Sequence, residues 1–253
     1  MKLSLFSDIH NEFEVWTPPK IDADVVILAD DIHSKHHGIQ WAKDFFELPV
    51  VYIPGNHEYY GSNIQSINRK LKEQSKNSNV HVLINDSVEI DGVTFIGSTL
   101  WTDFKLFGES KKQECIFDAG AKMNDFQHIT INDNGKYKKL KVSDTIAFFN
   151  NSINYIENEL KNSNTGRNIV ITHHAPSPQS TPTQYQSDLL SAAFSSNLEE
   201  FIKKYTDRID IWAHGHTHHN VNYQIADTRI ISNQRGYSSL ENYNFDCGYV
   251  VEI

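Results

Sequence analysis

A chain of 253 residues and 29.0 kDa is long enough for one large domain, or two small ones, with an ample core. Its mean hydropathy of -0.50 and 39% hydrophobic content describe a water-soluble globular protein, and the longest aliphatic stretch, VVIL plus Ala29, is far too short to span a bilayer. A net charge of -9, with no dense Lys/Arg stripe beyond the KYKKLK run at 136–141, argues against a polynucleotide as main partner, because duplex binders carry a broad basic footprint.

The opening MKLSLFSDIH reaches Asp8 before any signal-peptide core can form, so no targeting segment is expected. Cys115 and Cys247 form no CxxC pair and no disulfide framework, which points to a reducing cytoplasm and no membrane partner.

In chain order, short β-branched apolar runs predict strands: KLSLF, DVVILA, VVYI, VHVLI, VTFIG, NIVIT, IDIWA, RIIS and YVVEI. Asp91-Gly92 between two alternating runs predicts a hairpin. Helices are predicted at roughly 38–47, 61–77, 143–162 and 187–205. The third starts with Ser143 as N-cap and puts Ile146, Phe149, Ile153 and Ile156 on one face. No linker or repeat divides the chain, so residues 1–253 are expected to form one domain, with an inserted excursion around 102–142 that roofs a site. Strands alternating with helices early, and hairpins later, give an α/β protein with mixed sheets.

Five polar motifs each follow an apolar run directly. They deliver Asp8 and His10, Asp30 and Asp31, Asn56 and His57, His173 and His174, and His216 and His218. Taken singly, Asp-x-His and Pro-Gly-Asn are also turn signals. Gly-His-x-His is more telling, since its imidazoles lie two residues apart on one strand face. Ligands in α/β sheets bind beyond the carboxyl ends of strands. Five such ends carrying Asp, Asn or His, without thiolate, describe an oxygen-and-imidazole metal site. His214 reads as a supporting residue, His81 and His128 as structural or exposed.

In this order the motifs resemble the calcineurin-like metallophosphoesterase superfamily: Asp-x-His, Gly-Asp, Gly-Asn-His-Glu, a His after a strand, then Gly-His-x-His. The resemblance covers nearly the whole chain and implies a four-layer α/β/β/α sandwich of two mixed sheets flanked by helices. It also implies two divalent transition-metal ions, Mn²⁺ first with Fe or Zn²⁺ compatible. One ion would take Asp8, His10 and His218, and the other Asn56, His173 and His216. Asp31 would bridge both, and His57 would protonate the leaving group. A water or hydroxide held between two such ions is a nucleophile near neutral pH.

One departure stands out. Where the family has Gly-Asp, this chain has Asp30-Asp31, which adds negative charge and puts the bridging ligand in question. Tyr59, His174 and Arg235 are candidate substrate groups: Tyr59, like Tyr60 beside it, follows the Asn-His-Glu motif and could stack a base or pack in the core, His174 flanks a ligand and could orient substrate or cap a loop, and Arg235 could clamp phosphate bidentately. The implied function is hydrolysis of a phosphomonoester or phosphodiester on a small substrate. A metal-dependent nuclease or cyclic-nucleotide phosphodiesterase is the alternative within enzymes, and a non-catalytic scaffold the alternative outside them.

Overall fold

The computed structural model describes residues 1–238 and 241–253. All nine apolar runs form strands. The chain begins with β1 (Lys2–Phe6), β2 (Val25–Leu28), α1 (His37–Phe45) and β3 (Val50–Tyr52). It continues with β4 (Ser62–Asn63), α2 (Ile64–Gln74), β5 (Val80–Val82) and the hairpin β6 (Asp86–Ile90)/β7 (Val93–Ser98). Asp91 and Gly92 both take positive φ, 48° and 77°, the twist that a two-residue hairpin turn needs.

The excursion holds α3 (Lys112–Lys122), α4 (Asp125–His128), β8 (Ile129–Asp133) and β9 (Lys136–Lys139). After it come α5 (Val142–Asn162), β10 (Asn168–Thr172), α6 (Glu199–Lys204), β11 (Ile211–His214), β12 (Asn222–Ile225), β13 (Thr228–Ile231) and β14 (Val250–Glu252).

Two mixed sheets result. The first has the order β14-β1-β2-β3-β5, with only β14 antiparallel. The second runs β12-β13-β11-β10-β7-β6, parallel through its centre and closed at each edge by an antiparallel strand. Alternation along the strands builds the layers. Leu3, Leu5, Val25 and Ile27 of the first sheet share one core with Phe95, Ile169, Ile171 and Ile211 of the second. Their neighbours Val26, Leu28, Val170 and Trp212 belong to a separate core with the helical residues Ile39, Ile67, Phe149 and Ile202. Each fully buried aliphatic side chain contributes about 1.5–3 kcal/mol, and a one-residue slip would reverse every side chain, so register is strongly held. Among the described residues, no helix is long and apolar enough to cross a membrane.

Two helical expectations change. Ser143 does not cap α5; the helix starts at Val142, and the Asp144 carboxylate accepts from the Lys141 backbone N–H at 2.9 Å. An acid at the third helical position reaches back to an orphan donor, which places the N-cap at Lys141, two residues before Ser143. The 187–205 stretch is not one helix but a 3-10 turn at Leu189–Ala193 followed by the short α6. Tertiary pairing breaks it: Ala175 N–H donates to Phe194 O (3.0 Å), and Ser196 N–H donates to Ala175 O (2.9 Å). The excursion packs Cys115 and Ala119 of α3 against Ala192 and Ala193 of that 3-10 turn, while β8 and β9 join β4 in a small sheet.

Candidate metal centre

The carboxyl ends of β1, β2 and β3 in one sheet meet those of β10 and β11 in the other. The loops there are stitched together by backbone bonds: Asp8 N–H to Asp30 O (3.1 Å), His10 N–H to Asp31 O (2.9 Å) and Gly215 N–H to His173 O (3.0 Å). Across the sheets, His216 N–H donates to Asp8 Oδ1 at 3.0 Å. Six residues of these loops sit in the left-handed region: Asp8 (φ 51°), His10 (51°), Asp30 (100°), Asp31 (43°), His216 (69°) and His218 (45°). Such backbone costs of order 1–3 kcal/mol per residue and persists only where the surroundings over-determine it, which is typical of binding sites.

Two glycines make room. A Cβ at Gly55 would stand 2.1 Å from Asp31 Oδ1, and one at Gly215 would stand 2.4 Å from Asp30 Oδ1. No side chain fits either position.

Polar atoms converge inside this frame. Asp8, His10 and His218 form one group whose ligand atoms lie within 4.8 Å of one another, and Asp8, Asp31 and His173 form a second. His10 Nε2 and His218 Nε2 are 3.2 Å apart, and His218 Nε2 is 3.5 Å from Asp8 Oδ1. Asp31 Oδ2 lies between the halves, 3.9 Å from His10 Nε2 and 3.7 Å from His173 Nε2. Asn56 Oδ1 is 2.9 Å from His173 Nε2. His216 joins His173 and His174 in a third group, and its Nε2 is buried with no hydrogen-bond partner.

That donor set suits divalent cations. It combines carboxylate, amide oxygen and imidazole, and it leaves buried polar atoms orphaned, notably both oxygens of Asp30 and His216 Nε2. The electrostatics agree. Burial, then the neighbouring acids, pushes Asp30 and Asp31 well above the usual carboxylate range. Burial and adjacent imidazoles push His173 and His216 well below theirs. Burial alone would lower His218 too, but Asp8 and Glu241 outweigh it and raise it to about 9. Clustered carboxylates beside imidazoles that, His218 apart, favour the neutral form make a site short of positive charge, which bound cations supply.

Several further residues support these side chains. Asn56 Nδ2 donates to Asp125 Oδ1 at 2.7 Å, which turns the amide oxygen toward His173. Asp125 lies in the MNDF run of the excursion. Glu12 Oε1 is 3.1 Å from His57 Nδ1 and 3.3 Å from His10 Nδ1. Glu241 Oε1 is 2.8 Å from His218 Nδ1. Glu58 accepts from Gly55 N–H (2.8 Å), Ile32 N–H (3.0 Å) and the Tyr52 hydroxyl (2.7 Å), so it ties the β2 and β3 loops together. The GSTLW stretch buttresses the same loops: the Thr99 hydroxyl donates to Pro54 O (2.7 Å), and Thr99 O lies 3.1 Å from His174 Nδ1.

A cavity of about 410 Å³ opens over the cluster, and His57, Asn56, Asp31, His216 and His218 face it. His57 stacks on Tyr60, with ring centroids 4.4 Å apart.

The expected substrate groups are placed differently. Tyr59 is buried in the core and its hydroxyl donates to Asn68 Oδ1 (2.8 Å), because the 3-10 turn His57–Tyr59 sends it toward α2; Tyr60 is the tyrosine that faces the cavity. Arg235 is also buried, and its guanidinium donates to Ile9 O (2.9 Å), Glu14 O (3.1 Å) and the Glu14 carboxylate. It holds the 9–14 loop and does not line the cavity. His174 is buried behind His173 and His216, at ring-centroid distances of 4.8 and 4.4 Å, and does not line the cavity either. His214 bonds Ser180 Oγ (2.8 Å) and supports the site from below.

Known proteins are similar to this chain in sequence or in fold. An uncharacterized protein of Acanthamoeba polyphaga mimivirus is 34% identical over 217 residues, covering 81% of this chain and 73% of its own. The phosphopantetheinyl hydrolase of Mycobacterium tuberculosis has a similar fold, with a TM-score of 0.73, 15% identity, and coverage of 100% of this chain and 95% of its own. A putative 5'-nucleotidase from Staphylococcus aureus aligns with a TM-score of 0.51 at 14% identity, over 93% of this chain but 49% of its own. The family model for calcineurin-like phosphoesterases matches residues 1–220, a span that takes in every strand end of the cluster. The chain therefore belongs to the calcineurin-like phosphoesterases, metal-dependent phosphoric ester hydrolases.

Proposed function

We propose that this protein hydrolyses a small phosphomonoester or phosphodiester at a two-cation centre, with His57 as the acid for the departing oxygen. The observation that carries the reading is the placement of Asp31 Oδ2 between His10 Nε2 (3.9 Å) and His173 Nε2 (3.7 Å), with an independent set of donors on each side. Asp8, His10 and His218 would hold one cation, Asn56, His173 and His216 the other, and Asp31 would contact both. When bound, such a pair supplies Lewis-acid activation of a water and of the phosphoryl oxygens near neutral pH. Mn²⁺ is the first choice, and this ligand set also accepts Fe or Zn²⁺.

The chain's own part is positioning and proton delivery. Asp125 fixes which end of the Asn56 amide faces inward, and Glu241 orients His218. Glu12 engages His57 Nδ1, which leaves Nε2 to serve the cavity side. A positioned acid of this kind is worth roughly 10²–10⁴-fold in rate.

Leaving-group dependence tests the role of His57. In His57→Ala, an alkyl phosphoester should lose about 10²–10⁴-fold in kcat, while a nitrophenyl ester, whose leaving group needs no proton, should lose far less. Bound metal should stay at the wild-type level. Equal losses on both esters, or lost metal, would remove His57 from the acid role.

A further inference from the structure

The walls of the cavity, beyond the cluster itself, come mainly from two segments the family motifs do not include, with Tyr237 and Glu241 added from the stretch after β13. The excursion contributes Lys122, Met123 and Asn124, and the segment after β10 contributes Pro182, Asp188, Leu190 and Phe194. Their chemistry is mostly apolar and aromatic. Charge on these walls is sparse and not cationic on balance. Lys122 is the one Lys or Arg facing the cavity among the described residues, and its Nζ lies 2.7 Å from Asp118 Oδ1 on its own helix. Asp188 is exposed and faces the same space, with Oδ1 accepting from Leu190 N–H at 2.9 Å, and Glu241 at the rim is engaged with His218. Arg235, the other nearby cation, is tied to Glu14.

A second phosphate or carboxylate on the substrate would therefore meet Asp188 and Glu241 on the walls, and among the described residues the cationic side chains facing it, Lys122 and His218, are already paired with Asp118 and Glu241. Desolvating an unpaired charge there is unfavourable, and a like charge at contact adds repulsion. An uncharged body instead meets Met123, Pro182, Leu190 and Phe194, with Tyr60 beside the general acid to take an aromatic face.

Resting on the phosphoesterase reading above, we infer that the substrate carries a single phosphate on an uncharged, amphipathic organic group. This protein selects against substrates with a further anion, including nucleoside polyphosphates and polynucleotides. The selecting elements are the apolar walls with Asp188, while the cation cluster handles the scissile phosphate alone.

A matched pair of ligands separates this from the chemistry. 1-Naphthyl phosphate and its analogue with a sulfonate on the far ring differ only by a distal anion. With Mn²⁺-loaded protein, kcat/KM for the sulfonated ester should be lower by about tenfold or more, and Asp188→Asn should shrink that ratio several-fold. The matching naphthylmethyl phosphonates, which cannot be hydrolysed, should show the same preference in Kd by naphthalene fluorescence. Equal affinity for the two phosphonates, or a ratio unmoved by Asp188→Asn, would overturn the inference. Selective phosphonate binding without turnover of either ester would uphold the selectivity of the walls and overturn the hydrolytic reading instead.

Discussion

Asp30 Oδ1 and His173 Nδ1 face each other at 2.8 Å, both side chains fully buried, and neither atom makes a well-aligned hydrogen bond, to the other or elsewhere. Asp30 stands where the family pattern that the chain resembles has glycine, and its φ of 100° is a conformation that glycine adopts freely and aspartate does not. The site thus keeps a strained, buried acid in contact with the back of a candidate metal ligand. Carboxylates in that position fix the ring and raise its basicity. Asp30→Gly should have two opposite effects. Metal-free protein should gain stability, by roughly 1–3 kcal/mol, as strain and a buried acid are removed. Affinity at the His173 cation should fall by about 10–100-fold. Denaturant melts in chelator, alongside calorimetric metal titration, read both; unchanged metal affinity would mean that Asp30 does not support His173.

Much of the cluster was legible because each strand run is followed at once by its polar residues, as in LFSDIH and IWAHGHTH. Strand ends are chain-local, so an alternating apolar pattern and the residue after it are read together. The supporting acids were not legible for the opposite reason. Glu12 and Glu241 reach their histidines from separate loops, and a single acid in a polar stretch has no period to detect, while Asp125 lies in the MNDF run, which stands out as a motif without showing that it would reach Asn56. Arg235 misled because a rare arginine near the motifs fits a phosphate clamp, whereas its partners, Ile9 O and Glu14, lie about 220 residues away in sequence. Tyr59 and Tyr60 could not be separated without the 3-10 turn, which sends one inward and the other to the cavity.

Asp125 gives a second prediction. Without its carboxylate at 2.7 Å, the Asn56 amide loses the bond that keeps its oxygen toward His173. Asp125→Ala should weaken metal binding by about 10–100-fold, and activity should return at high metal concentration. Activity lost at saturating metal, with metal content normal, would instead assign Asp125 to substrate or to folding.

Stability should also depend on His214. Burial holds its pKa down to about 4, against an ordinary 6.5, with only partial compensation from Gly215 O. The folded state therefore binds this proton less readily than the unfolded chain. The neutral form's contribution is fully present above pH 6.5 and is lost as pH falls toward 4. His214→Asn, which cannot charge, should flatten the decline in melting temperature between those values by an amount worth a few kcal/mol. Parallel pH profiles for the two proteins would contradict this.

The most direct test counts cations against turnover. Chelated protein is titrated with Mn²⁺ while bound metal and hydrolysis of an aryl phosphoester are followed together, in wild type and in Asp31→Asn. The five strand ends predict that hydrolysis rises with binding and levels off at about two ions per chain. Asp31→Asn, whose neutral amide cannot balance two dications, should weaken both binding steps. A chain that binds no metal and hydrolyses the ester equally well in chelator would contradict the assignment.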